Sequence, residues 1–170
     1  MAMKIDKGLN LYIDISAACN ASCPFCIAPT VERRDGAGFW EGLSFGLDFT
    51  QKHGGSIQIT GGEPSLSRRL SRVLVEVGVR TFHRKVLNSN GCGLSKEMMV
   101  QAVGAGITHV NLSRHHYNET KNDEVMQIKP NRLATNVRFE ESVNLVQSCG
   151  IPVRLNCNLL SGYIDSISEV

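Results

Sequence analysis

Residues 9–26 read Leu9-Asn10-Leu11-Tyr12-Ile13-Asp14-Ile15-Ser16-Ala17-Ala18-Cys19-Asn20-Ala21-Ser22-Cys23-Pro24-Phe25-Cys26. The first eight positions alternate strictly. Leu9, Leu11, Ile13 and Ile15 are apolar, whereas Asn10, Tyr12, Asp14 and Ser16 are polar. Period-two alternation marks a strand with one buried face. The strand runs straight into a loop carrying Cys19, Cys23 and Cys26.

Four further segments carry the strand pattern. Residues 56–60 set Ile57 and Ile59 against Gln58 and Thr60. Residues 85–90 place Val86, Asn88 and Asn90 on one side. Residues 109–115 set Val110 and Leu112 against His109, Asn111, Ser113 and His115. Residues 151–159 set Ile151, Val153, Leu155, Cys157 and Leu159 against Arg154, Asn156 and Asn158.

Helical spacing fills the intervals. Phe39, Trp40, Leu43 and Leu47 share one face, and Ser67 is placed to cap a helix bearing Leu70, Val73, Leu74 and Val77. Ser95 is placed to cap one bearing Met98, Met99 and Val103. Residues 137–148 present Phe139, Val143 and Val146 and are followed by Gly150. Asp165 or Ser166 is placed to open a fifth helix. Small polar residues at starts and glycine after ends are the expected punctuation.

Strand and helix in alternation predict right-handed crossovers and a parallel sheet. Parallel strands covered on both faces read as continuous apolar runs. These alternate instead, so helices cover one face and the polar face lines a concavity. The expected fold is α/β, a partial (β/α) barrel of parallel strands. An antiparallel sheet with one wet face fits the alternation, but the long helical connections oppose it.

The chain has 170 residues, 42% hydrophobic and 20% charged, which suits one globular domain rather than a disordered chain. A net charge of +2 leaves no nucleic-acid or membrane-surface footprint. No apolar run approaches the roughly 18 residues of a membrane span, and residues 1–6 lack an apolar signal core. A cytoplasmic location is therefore expected, with no membrane partner.

In that setting three clustered cysteines point to a metal or cluster site rather than disulfides. Thiolates are soft ligands for iron–sulfur clusters or zinc. Three of them hold three corners of a cubane and leave one iron open. Zinc needs a fourth ligand, from His53 or a later cysteine. Cys23 and Cys26 alone also match a redox dithiol. A second motif, Thr60-Gly61-Gly62-Glu63-Pro64, follows the second strand. Its glycines permit close approach to backbone, and Glu63 is expected at the cavity mouth. The same residues also make an ordinary turn.

Together, Cys19, Cys23, Phe25 and Cys26 at this spacing, with Gly61-Gly62-Glu63-Pro64, resemble the two signatures of the radical S-adenosylmethionine (SAM) superfamily. Leu87-Asn88-Ser89-Asn90-Gly91, Val110-Asn111-Leu112-Ser113 and residues 155–162 resemble its third-, fourth- and fifth-strand segments. The closest flavour is that of molybdenum cofactor biosynthesis protein A and the peptide-maturing members.

The resemblance implies that Cys19, Cys23 and Cys26 bind a [4Fe–4S] cluster whose open iron chelates SAM. It implies that Gly61, Gly62 and Glu63 hold the methionine amino group, and that Ser113 and Asn156 meet the ribose or carboxylate. Phe25 and the fifth strand would meet the adenine, and Asn90 joins the cofactor-binding set. A one-electron reduction then splits SAM, and the 5′-deoxyadenosyl radical abstracts hydrogen from a peptide or small-molecule substrate. A flavodoxin- or ferredoxin-like reductant and oxygen sensitivity follow from the same resemblance.

Against the family pattern, Ser113 is followed by Arg114, His115 and His116. Alternation turns His115 inward as a substrate contact or proton donor, or as a polar residue lining a wet loop, and Arg154 inward as a carboxylate or phosphate ligand or as half of a structural ion pair. Cys92 is placed to reach the site, whereas Cys149 and Cys157 read as buried packing residues. The mixed-charge run 121–129 reads as solvated, and residues 117–136 as loop or short extra helix. Five strand units are visible and a sixth is missing, so residues 1–170 are expected to be a radical SAM core domain truncated at its C-terminal end.

Overall fold

A computed structural model describes residues 8–27, 38–129 and 139–159. The helix expected from Asp165 or Ser166 lies outside the described residues. The order of elements is β1 (Asn10–Asp14), α1 (Phe39–Lys52), β2 (Ser56–Thr60), α2 (Leu70–Gly78), β3 (Lys85–Ser89), α3 (Lys96–Gly104), β4 (His109–Ser113), α4 (Glu119–Met126), α5 (Phe139–Ser148) and β5 (Val153–Asn156). A 3₁₀ turn, Pro64–Leu66, follows β2.

The strands form one sheet in sequential order β1-β2-β3-β4-β5, every pair parallel. Sequential order with crossovers of one hand puts α1, α2, α3 and α5 on the same side, while α4 lies at the strand C-terminal rim. The other face is left to line a cavity, the arrangement of an open (β/α) barrel.

The helix side holds the core. Ile13, Ile57, Ile59, Leu87, Val110 and Leu112 point into it from the strands, and Leu47, Val73, Val77, Met99 and Val146 meet them from the helices. Each fully buried aliphatic side chain contributes roughly 1.5–3 kcal/mol. Phe39 and Trp40 pack at the core margin, where Arg69 and Arg72 lie over their rings.

The ends of the helices follow the sequence in part. Ser95 accepts from the Met98 N–H, and Gly150 takes a φ of 76° after α5. Ser67 lies before α2, accepts from Arg69 N–H and donates to the Ile15 carbonyl, tying the turn to the end of β1. Lys85 is an unexpected stabiliser. Its Nζ is buried on the helix side and donates to the carbonyls of Val77 and Ala105, at the ends of α2 and α3. Both carbonyls lie at helix ends, Val77 also accepting from Arg80 N–H, and a cation there complements both helix dipoles.

Two expectations change. Residues 121–129 are not a solvated run: α4 buries Asn122, Val125 and Met126. Their charges lie on the outer face while three residues pack inward. Cys149 and Cys157 are only half-buried, because each sits at the margin of the sheet beside β5, which has no strand beyond it among the described residues. Among the described residues no helix is long and apolar enough to cross a membrane.

Candidate functional site

All strand C-termini open on one side, and a cavity of about 630 Å³ lies there. Its floor is the polar strand face. Tyr12, Gln58, Asn88 and Asn111, from four consecutive strands, form a hydrogen-bonded row. Asn111 Nδ2 donates to Asn88 Oδ1 (2.7 Å), Asn88 Nδ2 to Gln58 Oε1 (3.3 Å), and Gln58 Nε2 to the Tyr12 hydroxyl (3.1 Å). Arg154 continues the row, paired in register with Asn111. It lines the cavity without a carboxylate partner among the described residues.

The rim is built by loops. Cys19, Cys23, Phe25 and Cys26 line the cavity from the loop after β1. Burial, then the neighbouring thiols, push Cys23 up to about 11. Burial is also the largest cause raising Cys19, with Glu63 and Cys26 adding to it. Cys19 and Cys23 without a metal therefore keep their protons at neutral pH, and metal binding must release them. Among the described residues no group of three or more His, Cys, Asp or Glu side chains converges as a single-ion site. His53 ends α1, at the opposite end of the sheet from the cysteine loop, and does not line the cavity. Three soft thiols spread around one cavity suit a multi-iron cluster, whose ligands sit farther apart than those of one ion.

The Gly61-Gly62-Glu63 turn is zipped onto the backbone leading to Cys19. Gly62 N–H donates to the Ser16 carbonyl (2.6 Å) and Glu63 N–H to the Ala18 carbonyl (2.8 Å). A Cβ on Gly61 would lie 2.7 Å from the Ser16 oxygen, and one on Gly62 would lie 2.2 Å from the Ala18 oxygen. Gly61 also has a φ of 146°. The space the glycines leave is filled first by the cysteine loop itself.

Glu63 lies beneath the rim rather than at the mouth and is 1% exposed. Its Oε1 accepts from Ser65 N–H (3.0 Å), Ser65 Oγ (2.7 Å) and Ser89 Oγ (2.7 Å), and its Oε2 accepts from Asn90 N–H (2.7 Å). Four donors explain how a carboxylate is tolerated there. They also bind the turn after β2 to the end of β3. Asn90 carries the connection onward through Nδ2, to Asn20 Oδ1 at 2.8 Å and toward Cys19 Sγ at 3.9 Å.

Ser113 and Asn156 are register partners on β4 and β5, and both line the cavity. His115 faces the cavity with its ring 4.7 Å from that of Phe25, edge to face. Its Nδ1 accepts from Asn158 N–H (3.1 Å), so the neutral ring carries its proton on Nε2. Burial lowers its pKa. Cys92 is buried and does not line the cavity itself. It lies behind the cysteine loop, its thiol against the Asn20 side chain and its N–H on Asn90 Oδ1. Asn158, on the polar side of the fifth-strand alternation, lines the cavity, and Met126 does so without having been signalled by motif or alternation.

The Radical SAM superfamily model matches residues 13–169. The chain belongs to the radical SAM superfamily. Among curated relatives, a GTP 3′,8-cyclase of Synechococcus sp. (strain CC9605) is 32% identical over 113 residues, which is 61% of this chain and 32% of that protein. A probable GTP 3′,8-cyclase of Thermoplasma volcanium is 24% identical over 165 residues, covering 95% of this chain and 49% of that protein. The chain thus spans a third to a half of the length of these relatives. Among solved structures, Streptococcus suis SuiB bound to precursor peptide SuiA superposes with a TM-score of 0.67 at 20% identity, covering 88% of this chain and 33% of SuiB. That likeness shows a shared fold.

Proposed function

We propose that residues 1–170 form a radical SAM core domain in which Cys19, Cys23 and Cys26 bind a [4Fe–4S] cluster and the cavity beside them binds SAM and then a substrate. The carrying observation is that the three thiols, the Gly61–Gly62 turn and the polar ends of β4 and β5 line one cavity in a member of this family. When bound, a reduced cluster supplies one electron to the SAM sulfonium and so delivers the 5′-deoxyadenosyl radical.

The chain's own residues bind and orient. In this reading the rim turn offers its backbone to the methionine end of SAM, and Glu63 acts through the positions of Asn90 and the turn. Ser113 and Asn156 receive the ribose or carboxylate, and Phe25 borders the adenine. The His115 Nε2–H donates a hydrogen bond into the cavity. The amide row on the floor faces the substrate. Arg154, a cation without a carboxylate partner among the described residues, favours a peptide or small molecule bearing a carboxylate or phosphate. A low-potential electron donor of the flavodoxin or ferredoxin kind completes the requirement.

The test is anaerobic reconstitution with iron and sulfide, followed by dithionite and SAM. 5′-Deoxyadenosine should form, and Cys23→Ala should lose both the cluster absorbance and the product. Zinc retained in place of iron, with reconstitution failing, would overturn the reading.

A further inference from the structure

Gln127 has φ 49° and ψ 50°, the one non-glycine residue with positive φ among the described residues. Such a conformation is disfavoured for a residue with a Cβ and persists where surrounding contacts hold it. Here it ends α4 and turns the chain back across the cysteine loop.

Three contacts with that loop follow. The Met126 carbonyl, a helix-end acceptor, receives Ser22 N–H (3.0 Å) and the Cys23 thiol (3.5 Å). Three residues on, Lys129 N–H donates to the Asn20 carbonyl (2.9 Å). The helix is itself anchored from within. Asn122 Oδ1 accepts from His115 N–H (2.8 Å), its Nδ2 donates to the Met126 sulfur (3.4 Å), and the His115 ring meets Phe25. The cysteine loop is therefore gripped twice. Residues 16–20 are held by the glycine turn and Asn90, and residues 20–25 by α4. When Cys23 releases its proton to solvent and binds a metal as the thiolate, its own bond to Met126 is lost. The Ser22 and Lys129 amide bonds do not depend on that proton.

We infer that α4 and its left-handed terminal residue are a positioning brace that preshapes the cysteine loop and retains the metal cluster. This rests on the proposed cluster-binding role of the three cysteines. Partners beyond the ligands commonly change metal retention by about 10–100-fold.

The experiment compares wild type, Gln127→Gly, Gln127→Ile and Asn122→Ala after anaerobic reconstitution. Its readouts are the rate of iron transfer to a chelator and the electron paramagnetic resonance signal of the reduced cluster. Glycine adopts the left-handed turn freely and a β-branched residue resists it. Gln127→Gly should match wild type. Gln127→Ile and Asn122→Ala should lose iron about 10–100-fold faster and show a broadened signal. Wild-type behaviour in both, or loss in the glycine variant equal to that in the isoleucine variant, sinks the brace. If Gln127→Ile does not fold, Asn122→Ala decides by the same criteria. A wild type that takes up no iron is a failure of the cluster reading. The brace is then judged by hydrogen exchange in the metal-free protein. The Ser22 and Lys129 amides should be protected in wild type and Gln127→Gly and should exchange rapidly in Asn122→Ala; equal exchange in all three overturns it.

Discussion

The two faces of the sheet use the same strands for opposite purposes. On the helix face, Ile57, Ile59, Val110 and Leu112 are each completely buried. On the cavity face, Tyr12, Gln58, Asn88 and Asn111 tie one another together through side-chain amides and a hydroxyl. The first face gains from removing apolar area from water. The second gains little stability, because its hydrogen bonds replace bonds to water. What it gains is a fixed array of donors and acceptors facing a ligand-sized space. Stability and recognition are thus interleaved at single-residue spacing, and substitutions one position apart should have unequal consequences.

The sharpest way to break that contrast is the neighbouring pair Ile59 and Gln58. Ile59→Ala should cost about 2–5 kcal/mol, seen as a lower midpoint in urea unfolding. Gln58→Ala should cost no more than about 1 kcal/mol, because water reaches the partners it leaves behind. Equal losses at both sites would mean that the amide row is as much a folding element as the core.

Lys85 sharpens the comparison from the other side, as a polar residue on the apolar face. Lys85→Met keeps the volume but removes the ammonium donor from the Val77 and Ala105 carbonyls. The expected cost is about 1–3 kcal/mol, measurable by the same unfolding curves. A neutral or stabilising result would show that the two helix ends find water instead.

The smallest effect concerns pH. Burial lowers the folded-state pKa of both His109 and His115 from the ordinary 6.5, with Arg154 and Arg84 adding to the effect at His109. Below pH 6.5 the unfolded chain takes up protons that these rings refuse in the fold. Stability should therefore fall as pH drops from 6.5 toward the folded-state values. The fall should be shallower in His115→Gln. An unchanged slope in that variant would show that His115 titrates alike in both states.

The site teaches a related lesson about motifs. Gly61 and Gly62 were legible as positions of close approach, but the approaching group is the Ser16–Ala18 backbone that precedes Cys19. Glu63 was legible as a carboxylate at the cavity mouth, but not as one buried under four donors. Those donors come from residues as far as Asn90, and no local pattern records which of them converge. Cys92 follows Asn90-Gly91 closely enough in sequence to suggest the site, and the fold sets it behind the cysteine loop, against Asn20, rather than in the cavity lining. The charges of residues 121–129 hid the burial of Asn122, Val125 and Met126, because a short helix with three inward positions leaves a weak periodic signal.

The sequence by itself determined the parallel order of strands and helices, the polar inner face, and the placement of both motifs in loops after strands. Alternation and spacing are local properties, and handed crossovers convert them into topology. Only the tertiary structure decided how the cysteine loop is held. Its grip consists of backbone groups at Ser16, Ala18, Asn20 and Ser22, paired with Gly62, Glu63, Lys129 and Met126. Every residue but proline carries both a backbone donor and an acceptor, so such pairings leave no trace in residue identity and appear only when the chain is folded.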